Sequence, residues 1–396
     1  MNRRILALLL ALVMVAGLMT GCASGKQEAA APETAQTESP AAEETTAEPE
    51  QTEEVPAEEE APKAPKTVSF TDSLGRTVEL PADITRIAPS GAVATMILAA
   101  IAPECMVTIN AAPSENQMAF LPANLAALPE TGQMYGSKAN LNLETLLAAD
   151  PQVVIDLGDK KGDMTEDLDA LQAQIGIPVV FIEADLAHMA AAFRTLGGLL
   201  SGKADRGEEL AALVDRTTTM AEENAAKITD DTRVRVMYTT GEDGLGTNAA
   251  GSMQAQVLDM VGVENAVVVE DVSNKGGGNI ISLEQLYNFD PDVILFADGS
   301  IYDTVADDSA WSQLTAISTG KYYEVPGSPY SWLSGPPSMN MILGVWWLGN
   351  LIYPEVYDYD MAEMTQELYK TLWGYELSSE EVTALLGNST LKAAAQ

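Results

Sequence analysis

One histidine and two cysteines in 396 residues bound the chemistry this chain can do. Ser–His–Asp or Cys–His catalysis needs an imidazole beside its nucleophile. The lone candidate, His188, lies in "ADLAHMAAAF", which reads as helix and places it in packing or at the surface. A nucleophile elbow of the G-x-S-x-G kind is also missing. An exported hydrolase-like enzyme is therefore the disfavoured alternative, and no catalytic residue is assigned. A site for bare zinc or manganese wants His with carboxylates; no such cluster is expected, and no metal ligand is assigned. The Gly-rich stretches "TTGEDGLGT" and "NKGGGN" lack P-loop and dinucleotide spacing. They read as loops in which Gly lets backbone come close to a ligand.

What remains is binding, and one phrase is written twice. "LETLLAADPQVVI" (143–155) returns as "LEQLYNFDPDVIL" (283–295), 140 residues later. Asn142 and Ser282 precede the two Leu-Glu pairs as N-caps. Asp150-Pro151 and Asp290-Pro291 end the short helices, and the apolar runs after them start strands. Glu144 and Glu284 fall in first helical turns, where a carboxylate complements the helix dipole by about 0.3–1 kcal/mol. That accounts for a Glu at each site but not for the matching context.

The elements around the phrases alternate. "VSF" and "TVEL" flank the turn "DSLG" as a hairpin. "TRIAP" is a short strand, followed by a helix over 92–101. Further strands are expected at Val153–Leu157, Val179–Ile182, Val234–Tyr238, Val293–Phe296 and Tyr322–Val325, with apolar helices between them. This rhythm predicts an α/β fold of parallel sheets covered by helices on both faces. Over 203–228, Leu210, Leu213, Val214, Thr217, Met220 and Ala221 keep one helical face. About 26 residues at 1.5 Å each make one helix of roughly 39 Å, suited to a stiff spine between two halves.

The ends carry their own information. Arg3 and Arg4 precede the short apolar run "ILALLLALVMVAGLM" and "TGC", the pattern of a secretory signal. Cys22 then resembles the lipid-modified first residue of a lipoprotein. Residues 26–66 hold 12 Glu against 3 Lys, a net −9, without apolar periodicity. Such a segment reads as a self-repelling tether. The chain as a whole carries −37, which argues against nucleic-acid binding. With Cys22 lipidated, Cys105 has no intrachain partner and no disulfide framework is expected.

The segment "TDSLGRTVELPADITRIAP", the two repeated phrases, "AWSQLTAISTGKYYEVP" and "YSWLSGPPSMNMILGVWWLGNLIYPE" together resemble the iron–siderophore/vitamin B12 type of substrate-binding protein of ABC importers. The resemblance runs from 67 to about 375. It implies two Rossmann-like lobes joined by one long helix, a ligand in the cleft between them, and small motion on binding. It also implies one surface Glu per lobe, Glu144 and Glu284, docking on basic residues of a permease dimer that works with a cytoplasmic ATPase. The resulting partition is a signal peptide over 1–21, an acidic linker over 22–66, an N-terminal lobe over 67–202, a connecting helix over 203–229 and a C-terminal lobe over 230–396.

Cleft residues belong on loops at the carboxyl ends of strands. Ser90, Lys138, Lys160 and Lys275 are candidates there, although each Lys alone also reads as a solvated surface charge. Tyr330 and Trp332, in a Pro/Gly-rich loop, could stack on a flat ligand, or Trp332 could anchor the loop. No Arg follows Arg235, so an Arg-clamped anionic ligand has little support from the second half. The expected protein is a monomeric lipoprotein, exported and anchored to the outer face of the cytoplasmic membrane. It would carry an iron–siderophore or related metal chelate, with no cofactor besides its lipid. Haem, a corrinoid or an oxyanion such as molybdate are the alternative ligands.

Overall fold

A computed structural model describes residues 66–134, 139–160, 162, 164–274 and 277–389. Cys22, Lys138 and Lys275, with the expected signal and nearly all of the linker, lie outside the described residues.

Chain order begins with the expected hairpin, β1 (Thr67–Thr71) and β2 (Thr77–Pro81), paired antiparallel from Thr67↔Pro81 to Thr71↔Thr77. Its turn is held by the buried Asp72, whose Oδ1 accepts from Leu74 N and Arg76 N, both at 3.0 Å. Arg76 returns its Nε to Asp72 Oδ2 at 2.9 Å. The first half then builds a parallel sheet of β3 (Ile87–Pro89), β4 (Val153–Gly158) and β5 (Val179–Glu183), in that order. Between β3 and β4 run α1 (Ala92–Ile101), the short α2 (Glu115–Met118) and α3 (Leu143–Ala148). Helices α4 (Met164–Ile175) and α5 (Met189–Leu199) flank β5 in sequence. Apart from the buried Asp156 of β4 and the terminal Glu183 of β5, the three strands are buried apolar runs, as parallel strands covered on both faces are. Ile155 and Leu157 join the core that includes α1 and α5, while Val154 and Phe181 turn to Leu146 of α3 and Leu168 of α4.

Helix α6 (Ala204–Ala225) follows: 22 residues, or about 33 Å. It is shorter than the sequence spacing suggests, because residues 226–232 leave the helix in turns. Its approach to α5 is set by glycine. A Cβ on Gly207 would lie 2.6 Å from Phe193 O and 2.7 Å from Gly197 Cα, so the backbones touch where side chains would separate them.

The second half contributes β6 (Arg235–Thr240), β7 (Gly246–Thr247), α7 (Gln256–Val261), β8 (Glu264–Asn265), β9 (Asn279–Ile280), α8 (Leu283–Phe289) and β10 (Val293–Phe296). After these come α9 (Thr315–Ser318), β11 (Tyr322–Glu324), α10 (Met341–Ile352), α11 (Met361–Trp373) and α12 (Ser379–Leu386). Its sheet runs β11-β10-β6-β7-β9, with β8 also on β6. The strands β11, β10 and β6 are parallel, and β7 and β9 add an antiparallel edge. Each expected strand is present, with ends shifted by at most two residues. The fold is α/β, two sheet-centred halves with α6 between them.

One large core crosses the halves. It takes Ile97 of α1, Phe193 of α5, Leu210 and Val214 of α6, Leu258 of α7 and Leu348 of α10. Polar links reinforce it. Trp346 Nε1 donates to Thr217 Oγ1 at 2.8 Å, joining α10 to α6. Arg206 of α6 reaches the carboxyl ends of two helices at once. Its Nε and Nη2 donate to Ala100 O at 3.1 and 2.9 Å, and Nη2 also donates to Thr371 O at 2.7 Å and Leu372 O at 3.3 Å. Among the described residues no helix is long and apolar enough to cross a membrane.

Candidate functional site

The two repeated phrases fold alike. Asn142 Oδ1 accepts from Thr145 N at 3.1 Å, capping α3. Ser282 and Gln285 form a capping box on α8, at 3.2 and 2.9 Å. Both helices end at an Asp in the left-handed region, Asp150 at φ 50° and Asp290 at φ 33°. Among the described residues these are the only non-glycines with positive φ. Such a residue turns the chain sharply and costs more than Gly would. In each half an Arg supports the turn: Arg86 Nε donates to Asp150 O and Arg235 Nη1 to Asp290 O, both at 2.9 Å. Each of these Arg precedes the strand residue paired with the phrase's own strand, Ile87↔Val153 and Val236↔Val293. The repeat therefore includes an Arg that the phrase itself does not contain. Glu144 and Glu284 stand exposed in the first turns of α3 and α8, away from any ligand cavity lining.

At the carboxyl ends of β6 and β10 lies a cavity of about 420 Å³. From the second half it takes Tyr238 and Thr240 on β6, Asp298 after β10, and Tyr330 and Ser334 of the following loop. The first half supplies Ser114, Asn116 and Gln117 at α2. A smaller space of about 160 Å³ adjoins it, shares Gln117 and Tyr330, and reaches Thr95 and Met96 of α1. Asn116 Nδ2 donates to Ser328 Oγ at 2.9 Å, joining the halves beside the cavity. Gln117 Oε1 is taken by Ser114 N at 2.9 Å in a capping box, which leaves Nε2 as the donor for a ligand. Tyr330 is half-buried, and burial pushes its hydroxyl up to about 12, so it stays a neutral donor throughout the working range. The described wall offers hydroxyls, amides and one carboxylate, Asp298.

Three sequence candidates do not line either space. Trp332 is fully buried, packed edge-on against Trp347 at 6.5 Å and beside Tyr369 at 6.3 Å. Its own carbonyl lies against Gly344 of α10, where an added Cβ would come within 2.1 Å. It anchors the loop and cannot stack on a ligand. Ser90 is 4 % exposed and gives its hydroxyl to Asp156 of β4, so it is tied into the sheet. Lys160 is exposed after β4 and does not line either space. Tyr330 does line both. The residues missed are Ser114, Asn116 and Gln117, which lie outside the loops that follow the expected strands. Their one sequence signal is the capping-box spacing S-x-x-Q.

The single histidine lies at the surface, one of the two placements expected for it. His188 is the exposed N-cap residue of α5. Its Nδ1 lies 2.6 Å from Asp185 Oδ1, and Glu183 completes a group whose ligand-type atoms lie within 4.8 Å of one another. The Asp185 hydrogen bond, with the negative charges of Asp185 and Glu183, raises the imidazole above its ordinary value against a smaller desolvation effect. A strand end and a helix start thus bring three ligand-type side chains together where the sequence pattern offers no cluster.

The sequence model of the periplasmic binding protein family matches residues 96–329, more than half of the chain. The chain belongs to the periplasmic binding protein family. Among solved structures, the chain is similar to an ABC transporter solute binding protein from Sulfurospirillum deleyianum. The two are 28% identical at a TM-score of 0.74, over 81% of this chain and 99% of that one. A periplasmic solute binding protein from Veillonella parvula shares the fold at 24% identity and TM-score 0.68, over 82% and 98% of the two chains. The molybdate periplasmic binding protein of Haemophilus influenzae shares it at 20% identity and TM-score 0.64, over 78% and 99%. No curated protein matches. Membership agrees with the sequence resemblance, with the two-lobed α/β architecture and with an extracytoplasmic transport role.

Proposed function

We propose that this protein is the lipid-anchored solute-binding component of an ABC importer, and that its cavity carries a metal chelate of the iron–siderophore class. The observation that supports this reading is the cavity itself. Both halves line it, it lies at the carboxyl ends of parallel strands, and its 420 Å³ falls within the roughly 300–1,000 Å³ of small-molecule sites. Neutral hydroxyl and amide donors suit the oxygen-rich face of a chelate, and Tyr330 offers an aromatic surface beside them. The protein does no chemistry on its ligand. Capture is followed by docking of Glu144 and Glu284, one on each half, against basic residues of the permease. Exposed charges of this kind set register and encounter rate more than affinity.

Intrinsic tryptophan fluorescence, titrated separately with ferric siderophores, haem, cobalamin and molybdate, tests the ligand. A saturable response to a ferric siderophore that Gln117→Ala and Tyr330→Ala weaken is expected. Saturation by another of the four reassigns the ligand, and no response to any defeats the reading. For docking, reversing both Glu to Lys should abolish uptake while ligand affinity stays within twofold. A matching loss of affinity would move those residues into the ligand site.

A further inference from the structure

The chain's only histidine stands in a constellation the transport reading does not use. Glu183 is the last residue of β5, Asp185 follows two residues on, and His188 opens α5. The bend after β5 brings Asp185 beside Glu183, with the ligand-type atoms of the three residues within 4.8 Å of one another. The tight turn after them returns His188, whose N donates to Asp185 Oδ1 at 2.9 Å. The backbone is fixed on the strand side as well: Glu183 N donates to Ser73 Oγ and Ala184 N to Gly158 O, both at 2.9 Å. The three side chains thus hang from a short framework held at both ends. The Glu183 carboxylate is half-buried, yet among the described residues it accepts no hydrogen bond and enters no ion pair. None of the three lines the ligand cavity.

We propose that Glu183, Asp185 and His188 form a binding site for a divalent first-row transition cation, with Zn²⁺ as the reference ion. Two carboxylates balance the charge of a dication. Imidazole nitrogen with carboxylate oxygen is the donor mixture that Zn²⁺, Mn²⁺, Co²⁺ and Ni²⁺ accept. Three protein ligands leave a coordination position for water or an outside donor. The cation takes the place of the proton between His188 and Asp185: an imidazolium gives that proton up to solvent, and a neutral ring carries its one proton on Nε2 instead. Half-burial of the carboxylates and exposure of the imidazole leave the site reachable from solvent. Since all three ligands fall within six residues, the local turn supplies the geometry and the ligand cavity need not be filled.

The test uses the full-length purified chain, stripped with EDTA and dialysed. Zn²⁺ is followed by calorimetry and Co²⁺ by visible absorption and by the proton spectrum of the one imidazole. Saturation at one Zn²⁺ per chain is expected, with paramagnetic displacement of the single histidine signal by Co²⁺. His188→Ala and Glu183→Gln should each weaken Zn²⁺ at least tenfold while their thermal unfolding without metal stays unchanged. The proposal is overturned by no saturable binding up to millimolar Zn²⁺. It is equally overturned by binding that neither variant weakens, which would assign the metal to the Glu-rich segment, or by a histidine signal that Co²⁺ leaves in place.

Discussion

Replacing Arg206 by Met should cost this protein about 2–4 kcal/mol, a large loss for a residue a quarter exposed and distant from the cavity. Its guanidinium donates to Ala100 O at the end of α1 and to Thr371 O and Leu372 O at the end of α11. Terminal helix carbonyls have no partner within their own helix, so each loses a charged donor. A hydrogen bond to a charged group contributes about 1.5–3 kcal/mol, and the two shortest here, at 2.7 and 2.9 Å, are well formed. A cation at each helix end adds roughly 0.3–1 kcal/mol. The full sum exceeds the expected loss because water can reach part of the site once the guanidinium is gone. The contact with Glu209 contributes little, since that partner is half exposed. Met keeps the apolar stem in place, which confines the change to the polar head. Urea unfolding followed by tryptophan fluorescence reads the effect. With a slope near ~3 kcal/mol/M, the midpoint should fall by about 1 M. Arg206→Lys should fall between, retaining charge without the fork. A shift corresponding to less than ~0.5 kcal/mol for Arg206→Met would refute the idea that this side chain clasps the two helix ends.

Three further expectations follow from packing and burial. Trp332→Ala should lower stability by about 3–5 kcal/mol in the absence of ligand, whereas Tyr330→Ala, at a half-buried position on the edge of the core, should lower it by clearly less; differential scanning calorimetry separates them. Gly349→Ala should destabilise by about 1–3 kcal/mol in urea, because its Cβ would lie 2.4 Å from the Tyr357 ring. Burial, with Glu104 nearby, pushes the Cys105 thiol above its ordinary value. Its contribution to stability is therefore complete below the unfolded-chain value of about 8.5 and is lost as pH rises through the folded value. Iodoacetamide at pH 8 should leave Cys105 unmodified in the native protein and label it in urea, as mass spectrometry reads.

How far the sequence carried the fold depended on how local each cause was. Parallel strands such as Val293–Phe296 are continuous apolar runs, and the caps Asn142 and Ser282 act within three residues, so both were readable. Tyr330 and Trp332 were not separable, because the difference between them is made by Gly344 and Trp347 on a helix that begins later in the chain. Arg86 and Arg235 gave no signal: their partners are backbone carbonyls, which every residue has. Asn116 and Gln117 reach the cavity by crossing from the other half, a placement no local pattern encodes. His188 is legible as a surface residue, but its neighbours are not, because its five-residue distance from Glu183 spans a change from strand to helix, where neither period applies.

The twin arginine braces also bear on which parts of the chain are exchangeable. From Arg86 to Leu143 is 57 residues, and from Arg235 to Leu283 is 48. The braced turn is the same at the end of both intervals, so the frame tolerates inserts of unequal length between its two fixed points. Asn116 and Gln117 lie in the first interval and Thr240 in the second. Much of the ligand-facing surface is thus carried on cassettes whose ends are pinned by chemistry that never meets the ligand. On the proposed reading, the part of the cavity wall that these cassettes carry can be rewritten without disturbing Glu144 or Glu284.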